Sequence, residues 1–482
     1  MRYGQLLIKD YALRPTTLLT LFCASVLAGL GAARWQLVVP VWFGLVAAGV
    51  CLLLRHQTVL CMTWIVIAGL SLGVWRGASM LQRVVPYSIL SGQKVSLRAV
   101  AQSDAIYAEK GQLSFAIENI QVEQPIKAAL PGKMKVKGYG ELAVFKGDVL
   151  LIEGKMYKTR GGMQASTSYA QIQRVDSHNA FIDTVRRKFA AGVQTALPEP
   201  AASFGLGLLV GQRNTLPFQT SQALLMVGLV HIVAVSGYNL TIILDAVRRL
   251  LGSRSKLLCV AVAAILMIGF LFLTGMSASI VRASVVSGLS LIAWYYGRTI
   301  RPILLILLAA AGTAYVNPLY LWSDVGWYLS FLAFFGILMI APQILSKLYK
   351  NREVPLVLKM AVETMAAELM TLPLILYIFG QMSLIGLVAN IVVALFVPIA
   401  MLFTLAAGLA GMYLPMLSGV FAYPAKIMLT YMLDMATLLS RVPNIFQTGV
   451  YISLTDMLLC YGVIGSIVYL LYKRPKKWFA DI

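Results

Sequence analysis

The sequence predicts a polytopic α-helical membrane protein with a small all-β domain inserted near its N-terminal side, on three observations. Hydrophobic residues make up 59% of the 482 and charged residues only 12%, outside the range of an ordinary soluble domain. The apolar residues gather into runs long enough to cross a bilayer. After the first three runs, residues 76–180 change to short strand-like segments separated by turn residues.

Charge narrows the possible partners. Forty Lys and Arg against nineteen Asp and Glu leave a net charge of +21. Part of that excess belongs to cytoplasmic loops and helix ends, which favour basic residues. The rest points to a polyanionic partner, either lipid headgroups or nucleic acid. Cys23, Cys51, Cys61, Cys259 and Cys460 all fall in apolar segments, so no disulfide framework or CxxC metal site is written here. His56, His178 and His231 are scattered, which excludes hydrolases built on clustered histidines. No phosphate-binding G-x-x-x-x-G-K-[ST] occurs. No cofactor and no metal ligand are expected.

Taken in order, residues 1–75 form a three-span N-terminal segment, with apolar runs at about 17–33, 37–54 and 58–75. Arg2, Lys9 and Arg14 precede them, and Arg55 and His56 separate the second from the third. Both basic groups are expected on the cytoplasmic side, so three crossings place residues 76–180 outside.

That domain alternates as strands at 94–103, 112–122, 132–139, 147–158 and 165–175, with turns at 109–111, 130–132 and 146–148. Five short strands fit a small OB-like barrel, with a sandwich as the alternative. Lys133, Lys135 and Lys137 stand at alternate positions and therefore on one strand face, with Lys155, Lys158 and Arg160 as a second basic group. This is either a solvated face or a surface that tracks a nucleic-acid backbone. Tyr107, Tyr139, Phe145, Tyr157 and Tyr169 could supply the aromatics that a single-strand site needs.

Residues 181–200 read as an amphipathic interfacial helix. Phe181, Val185, Phe189 and Val193 recur every four residues, around Arg186, Arg187 and Lys188. The alternative is a helix packed on the barrel. From 201 to 472 the chain is membrane again, in ten apolar stretches. Residues 473–482 form a basic tail containing Lys473, Arg474, Lys476 and Lys477. Both termini are therefore expected inside, with an even number of crossings of about ten.

Polar residues within these runs are the candidate site. Leu229–Leu240 holds His231, Ser236 and Asn239, and its Ser236-Gly237 pair favours a break in the helix. Polar groups at membrane depth face protein or a wet cavity, so the segment either lines a pathway or binds neighbouring helices. A third possibility is hydrolysis by Ser236. His231 lies five residues away, about 140° round a continuous helix, and no acid is placed to orient it. Arg282 sits beside a small-residue face of Ser279, Ala283 and Ser287; Asp324 either caps the next helix or pairs with a cation such as Arg282. Glu363, Glu368, Gln381, Ser383 and Asn390 are further polar points.

These stretches resemble the ComEC-type DNA-uptake channels of bacterial natural transformation. The ordered motifs are Gly207-Leu-Leu-Val-Gly-Gln-Arg213, His231-Ile-Val-Ala-Val-Ser-Gly237, Ile280-Val-Arg-Ala283, Asp324-Val-Gly-Trp-Tyr-Leu-Ser-Phe331 and the run from Thr371 to Asn390. The resemblance implies a channel, not an enzyme, that carries single-stranded DNA across the cytoplasmic membrane. His231, Ser236, Asn239, Arg282, Asp324, Gln381 and Asn390 would lie along its path. Implied partners are membrane lipids, a DNA receptor, a cytoplasmic helicase and strand-binding proteins. The family usually has a histidine where this chain has Asn239, which retains hydrogen bonding but not an imidazole. The metallo-β-lactamase-like nuclease domain of many members is not found before Ile482, so strand degradation is expected from a separate protein. A membrane-embedded hydrolase and a small-anion transporter remain the competing classes.

Overall fold

The computed structural model describes the chain apart from residues 1–14, 38, 54–57, 108–111, 126, 140–143, 159–160, 178–180, 212–215, 234–236, 253–254, 275–277, 299–300, 350–353 and 474–482. Its contacts divide into two compact units. The first takes in Met1–Asp104, Ser114–Ser177 and Thr299–Tyr328; the second takes in Ala105–Leu113, His178–Arg298 and Leu329–Ile482.

The first unit begins with helices α1 (Pro15–Ala32), α2 (Val41–Leu53) and α3 (Thr58–Ile89). The apolar run ends near 75, yet α3 continues as one helix to Ile89. Gly69, Gly73 and Gly77 recur every fourth residue along α3 and meet α1 at Ser25, Val26 and Ala33. This small-residue spacing lets two backbones approach where lipid offers no hydrophobic drive between helices. A Cβ on Gly73 would collide with backbone atoms of Val26 and Leu30.

A five-stranded barrel follows. It is made of β1 (Lys94–Ala101), β3 (Gln112–Gln124), β4 (Ala128–Tyr139), β5 (Asp148–Lys158) and β6 (Ala165–Ser177), while β2 is the two-residue Ile106–Tyr107. The long strands run in the order β1-β5-β6-β4-β3 and close through β1–β3; β4–β6 is parallel and β1–β3, β1–β5 and β5–β6 are antiparallel. Closure removes the sheet edges, and the result is the OB-like barrel expected from five short strands. Alternation sends Met134, Val136, Leu150, Ile152 and Met156 into the core.

One expected turn is not a turn. Leu130-Pro131-Gly132 lies inside β4, because its Pro131 carbonyl accepts a bond from Tyr87 Oη (3.1 Å) and Gly132, at φ +118°, bends the strand over Gln164.

The last part of this unit is α11 (Pro302–Val316), α12 (Leu319–Ser323) and the start of α13 (Val325–Phe335). Arg76 donates to the carbonyls of Tyr315 (2.9 Å) and Val316 (2.7 Å), a cation on the unsatisfied C-terminal end of α11. Trp322 Nε1 donates to Leu30 O at 2.8 Å. The loop after β5 is held by side chains of the same hairpin: Asn317 Nδ2 donates to Gly162 O (2.9 Å) and Ser323 Oγ to Gly161 O (2.8 Å).

The second unit is helical. It contains α4 (Phe181–Ala196), α5 (Ala201–Val210), α6 (Phe218–Met226), α7 (Val230–Val233), α8 (Gly237–Leu251), α9 (Lys256–Leu273) and α10 (Ala278–Tyr295). After α13 and a π turn at Gly336–Ile340 come α14 (Ala341–Tyr349), α15 (Leu356–Phe379), α16 (Gly386–Ala394), α17 (Val397–Tyr413), α18 (Ser418–Ser440) and α19 (Leu454–Lys473). Every residue of α5 is buried, as befits a helix that is apolar all round. The amphipathic α4 lays Phe189 and Val193 against Gly408 of α17, and Gly192 against Gly411. Its apolar face thus packs on α17 within this unit.

Seven helices are long and apolar enough to cross a membrane among the described residues, or eight if the bent pair α16–α17 is one span. Two of these lie in the N-terminal segment, so the ten apolar stretches of 201–472 yield five described spans, or six with the bent pair, because several, including 223–251, are cut into shorter pieces. The protein is a polytopic helical membrane protein carrying a small barrel.

The glycine contacts generate a paired prediction. Gly73→Ala should cost about 1–3 kcal/mol by overpacking and lower the thermal midpoint of the detergent-solubilised protein by several degrees. Gly312→Ala, with nothing within 4 Å of the added methyl, should leave that midpoint unchanged or raise it. Equal midpoints for the two variants would refute the close α1–α3 crossing.

Candidate functional site: a polar crossover in the helical unit

Two turns of the second unit touch through glycines. Gly228, at φ +75°, closes the turn after α6, a backbone conformation that suits a residue without Cβ. A Cβ there would stand 3.4 Å from Gly386 Cα and 3.3 Å from Ser383 Cβ. The second turn leaves α15 through Gly380, at φ +60°. It passes through the short strand β7 (Gln381–Ser383), which pairs antiparallel with β8 (Phe446–Thr448). It then starts α16 at Gly386. The Leu384 N–H donates to Ile445 O (2.8 Å) and the Val450 N–H to Gly380 O (3.0 Å). Irregular backbone among apolar helices is therefore hydrogen-bonded by another segment of the protein, as membrane depth requires.

The side chains collected there are polar. His231 Nδ1 bonds the Gly228 carbonyl at 3.0 Å, which makes Nδ1 the donor and leaves Nε2 as an acceptor. The Asn390 amide lies beside this imidazole, and its Nδ2 donates to Thr364 Oγ1 at 2.6 Å. One helical turn along α15, a Glu368 carboxylate oxygen stands 3.3 Å from where a Gly386 Cβ would be. Ser383 Oγ and Asn390 Oδ1 are buried and make no hydrogen bond within the described protein. His231 is exposed, whereas Thr364, Glu368, Ser383 and Asn390 are half-buried. The set is contiguous, polar and open on its histidine side. Immediately after it, the chain bends by 48° between α16 and α17.

The candidate residues divide accordingly. His231 and Asn390 come together, and Gln381 is half-buried at the start of β7. Arg282 is 5% exposed on α10, flanked by buried Ile280, Ala283 and Ser284, and α10 packs on α8 and α9. Ser236 and Arg160 lie outside the described residues, as do His56, His178 and the basic tail beyond Lys473; the side chain of Asn239 is likewise not described. Asp324 belongs to the first unit. There its Oδ1 accepts from the Gly326 N–H at 2.9 Å and its carbonyl from the Trp327 N–H, the capping geometry of α13. In the same motif Trp327 Nε1 donates to Thr313 Oγ1 at 3.1 Å. Glu363 pairs with Lys359 at 3.9 Å on the surface of α15.

Glu368 and Ser383 are among the polar points marked in the sequence, whereas Thr364 is not. Thr364 and Glu368 are four apart on one helix and share a face, and Ser383 stands three residues before Gly386. A cavity of about 500 Å³ lies elsewhere in this unit, among Phe335, Met339, Met370, Tyr461 and Tyr472, and none of the candidate residues lines it.

In the first unit the barrel exterior is basic. Lys133, Lys135, Lys137 and Tyr139 all point outward from β4. Register places Lys135 beside Ser166 and Ser166 beside Tyr157; on β5, Lys155 pairs with Ser168. Lys155 also lies over the Tyr157 ring at 5.8 Å. Lys133 is 3.9 Å from Glu118 of β3. Partial desolvation, and then the Lys137 charge, hold the Lys135 ammonium below the ordinary lysine range. Lys158 is exposed at the end of β5.

Comparison with known proteins agrees with this architecture. The competence protein family model matches residues 208–474, more than half of the chain. ComE operon protein 3 of Bacillus subtilis (strain 168) is 28% identical over 267 residues, which span 53% of this chain and 32% of the relative's length. No solved structure matches. With the polar crossover and the bent α16–α17 pair both inside the matched region, this chain belongs to the competence protein family.

Proposed function

We propose that this protein is a channel that conducts single-stranded DNA across the bacterial cytoplasmic membrane during natural transformation. The polar crossover carries the proposal. A polyanion crossing an apolar layer needs a wet path with hydrogen-bonding groups, because unpaired phosphates there would be prohibitively costly. His231, Thr364, Glu368, Ser383 and Asn390 supply such groups on broken elements, and two of their oxygens have no hydrogen-bond partner among the described residues. Ser236, Asn239, Arg282 and Gln381 extend the path, with Arg282 charged at any working pH. Asp324 contributes by fixing the start of α13.

The barrel faces outward and hands the strand to the helices, with Lys133, Lys135, Lys137, Lys155, Lys158 and Arg160 meeting the phosphates. Both termini are cytoplasmic. A DNA receptor outside, and a helicase and strand-binding proteins inside, complete the machinery.

Three measurements test this. In a transformable host expressing this chain as its sole channel, Asn390→Ala should lower nuclease-protected DNA uptake by roughly 5–150-fold, since the change strands Thr364 and the imidazole at ~1–3 kcal/mol. Glu363→Gln removes only a surface pair and should stay within about twofold. Loss of uptake in proportion to protein abundance would instead make Asn390 a packing residue.

The full chain in neutral nanodiscs should bind oligonucleotides with a steep salt dependence. Replacing Lys133, Lys135 and Lys137 together by Gln should flatten the slope of log affinity against log salt by roughly 2, at ~0.7 per phosphate on a single strand. An unchanged slope would make the row a solvated face.

For orientation, a cysteine in place of exposed Glu123 in a cysteine-free derivative should react with an impermeant maleimide in cells whose outer barrier alone is permeabilised. Ser103 is less suitable because its Oγ accepts from the Ala116 N–H at 3.1 Å. Labelling seen only after lysis would place the barrel inside.

A further inference from the structure

The exterior of β4, β6 and β5 carries a feature that charge alone does not account for. On passing Ser168, β6 gains one residue relative to both neighbours. Val136 pairs with Thr167 but Gly138 with Ala170, and Lys155 pairs with Ser168 but Glu153 with Gln171. The extra residue is Tyr169, at φ +56°. Glycine faces this bulge on each side: a Cβ on Gly138 would meet Ala170 O at 2.5 Å, and one on Gly154 would meet Ser168 O at 3.2 Å. A bulge re-aims a side chain, and here the aim is outward. Tyr169 is 74% exposed, more than any other barrel tyrosine described. Its ring is backed by Tyr139, with centroids 6.2 Å apart and planes 23° from parallel. Tyr139 ends the outward row begun by Lys133, Lys135 and Lys137.

An aromatic left-handed residue on an exposed bulge is costly to hold and contributes little to the core. OB folds usually take oligonucleotides on their second and third strands. In this barrel the second long strand, β3, shows acidic Glu118 and Glu123 outward. Cations and serines lie instead on the third, fifth and fourth long strands, where Tyr169 stands. That face offers phosphate-binding charges in a line that ends at a flat ring. The complementary ligand is a polyanion with unpaired flat bases.

We propose that Tyr169, held outward by its bulge and backed by Tyr139, is a base-stacking platform that makes this face select single-stranded nucleic acid over duplex. The proposal rests on the DNA-conducting role above and adds how the strand is discriminated. Stacking gives each base a sequence-tolerant contact, which suits a protein that must accept any sequence. A duplex hides its base faces and keeps only the salt-dependent backbone contact.

The test uses the full chain in phosphatidylcholine nanodiscs and three fluorescent ligands read by anisotropy: a thymidine 20-mer, an abasic 20-mer of equal charge, and a 20-base-pair duplex. The wild type should bind the thymidine strand roughly 5–150-fold more tightly than the abasic one. Tyr169→Asn keeps a residue that tolerates the left-handed conformation but deletes the ring. It should bring the two affinities together while leaving abasic and duplex binding unchanged. Tyr169→Phe and Tyr169→Trp should retain the preference. If Tyr169→Asn keeps the full thymidine-to-abasic ratio, the platform is overturned while the basic face stands. If no ligand binds the wild type, both the platform and the DNA-binding face fall. DNA uptake unaffected by Asn390→Ala, with the Tyr169 results as expected, would remove the channel alone.

Discussion

The helical unit depends on a backbone approach between Gly228 and Gly386. A methyl group on the first would press on the second and on Ser383, and one on Gly386 would press on the Glu368 carboxylate. Because both positions lack a side chain, the turn that carries His231 can sit against the turn that starts the Asn390 helix. Each turn bonds its own polar group, the imidazole to the Gly228 carbonyl and the Asn390 amide to the Thr364 hydroxyl, in a unit whose core is otherwise apolar. Contact between the turns sets the Asn390 amide beside the imidazole, a juxtaposition that separating them would lose.

Local rules explain the first unit, and the sequence displayed most of them. Strand alternation located all five long strands to within a few residues, since a closed barrel with a filled interior enforces a two-residue period. It failed at Leu130-Pro131-Gly132, where a turn-like composition sits in a strand because Tyr87 and Gln164 stabilise the distortion from outside it. The α1–α3 crossing was equally legible in the spacing of Gly69, Gly73 and Gly77. Hydrophobicity alone, which counts glycine as weakly informative, hid it.

The site was legible only in part. His231 and Asn390 stand out as polar residues in apolar runs, and the fold brings them together. Glu368 stands out as a carboxylate in an apolar run, but Thr364, four residues before it, is hidden by its helix, where such a pair looks like an ordinary surface face. Only the return of the chain through β7 shows that their face meets Gly386. The break expected at Ser236-Gly237 falls on Ser236, outside the described residues; the described break is the 48° bend between α16 and α17. There Pro398 at the start of α17 disfavours the helical region at the residue before it. Asp324 shows the opposite limit: a family motif whose hydrogen bonds go to the helix start and to the packing of Trp327.

The attachment of the barrel loop to the α11–α12 hairpin has a consequence for how the protein tolerates change. Asn317 and Ser323 grip the carbonyl oxygens of Gly162 and Gly161, atoms that every amino acid possesses. A substitution at 161 would keep the acceptor but strain the backbone, since Gly161 sits at φ +147°. At 162 an added Cβ would strike the Tyr320 ring at 2.6 Å. The loop side of this attachment is therefore restricted to its two glycines by backbone shape, while the rest of the barrel surface takes no part in it. A barrel of different surface chemistry could be carried on the same two donors, and its ligand preference could diverge without disturbing its seat on α11 and α12.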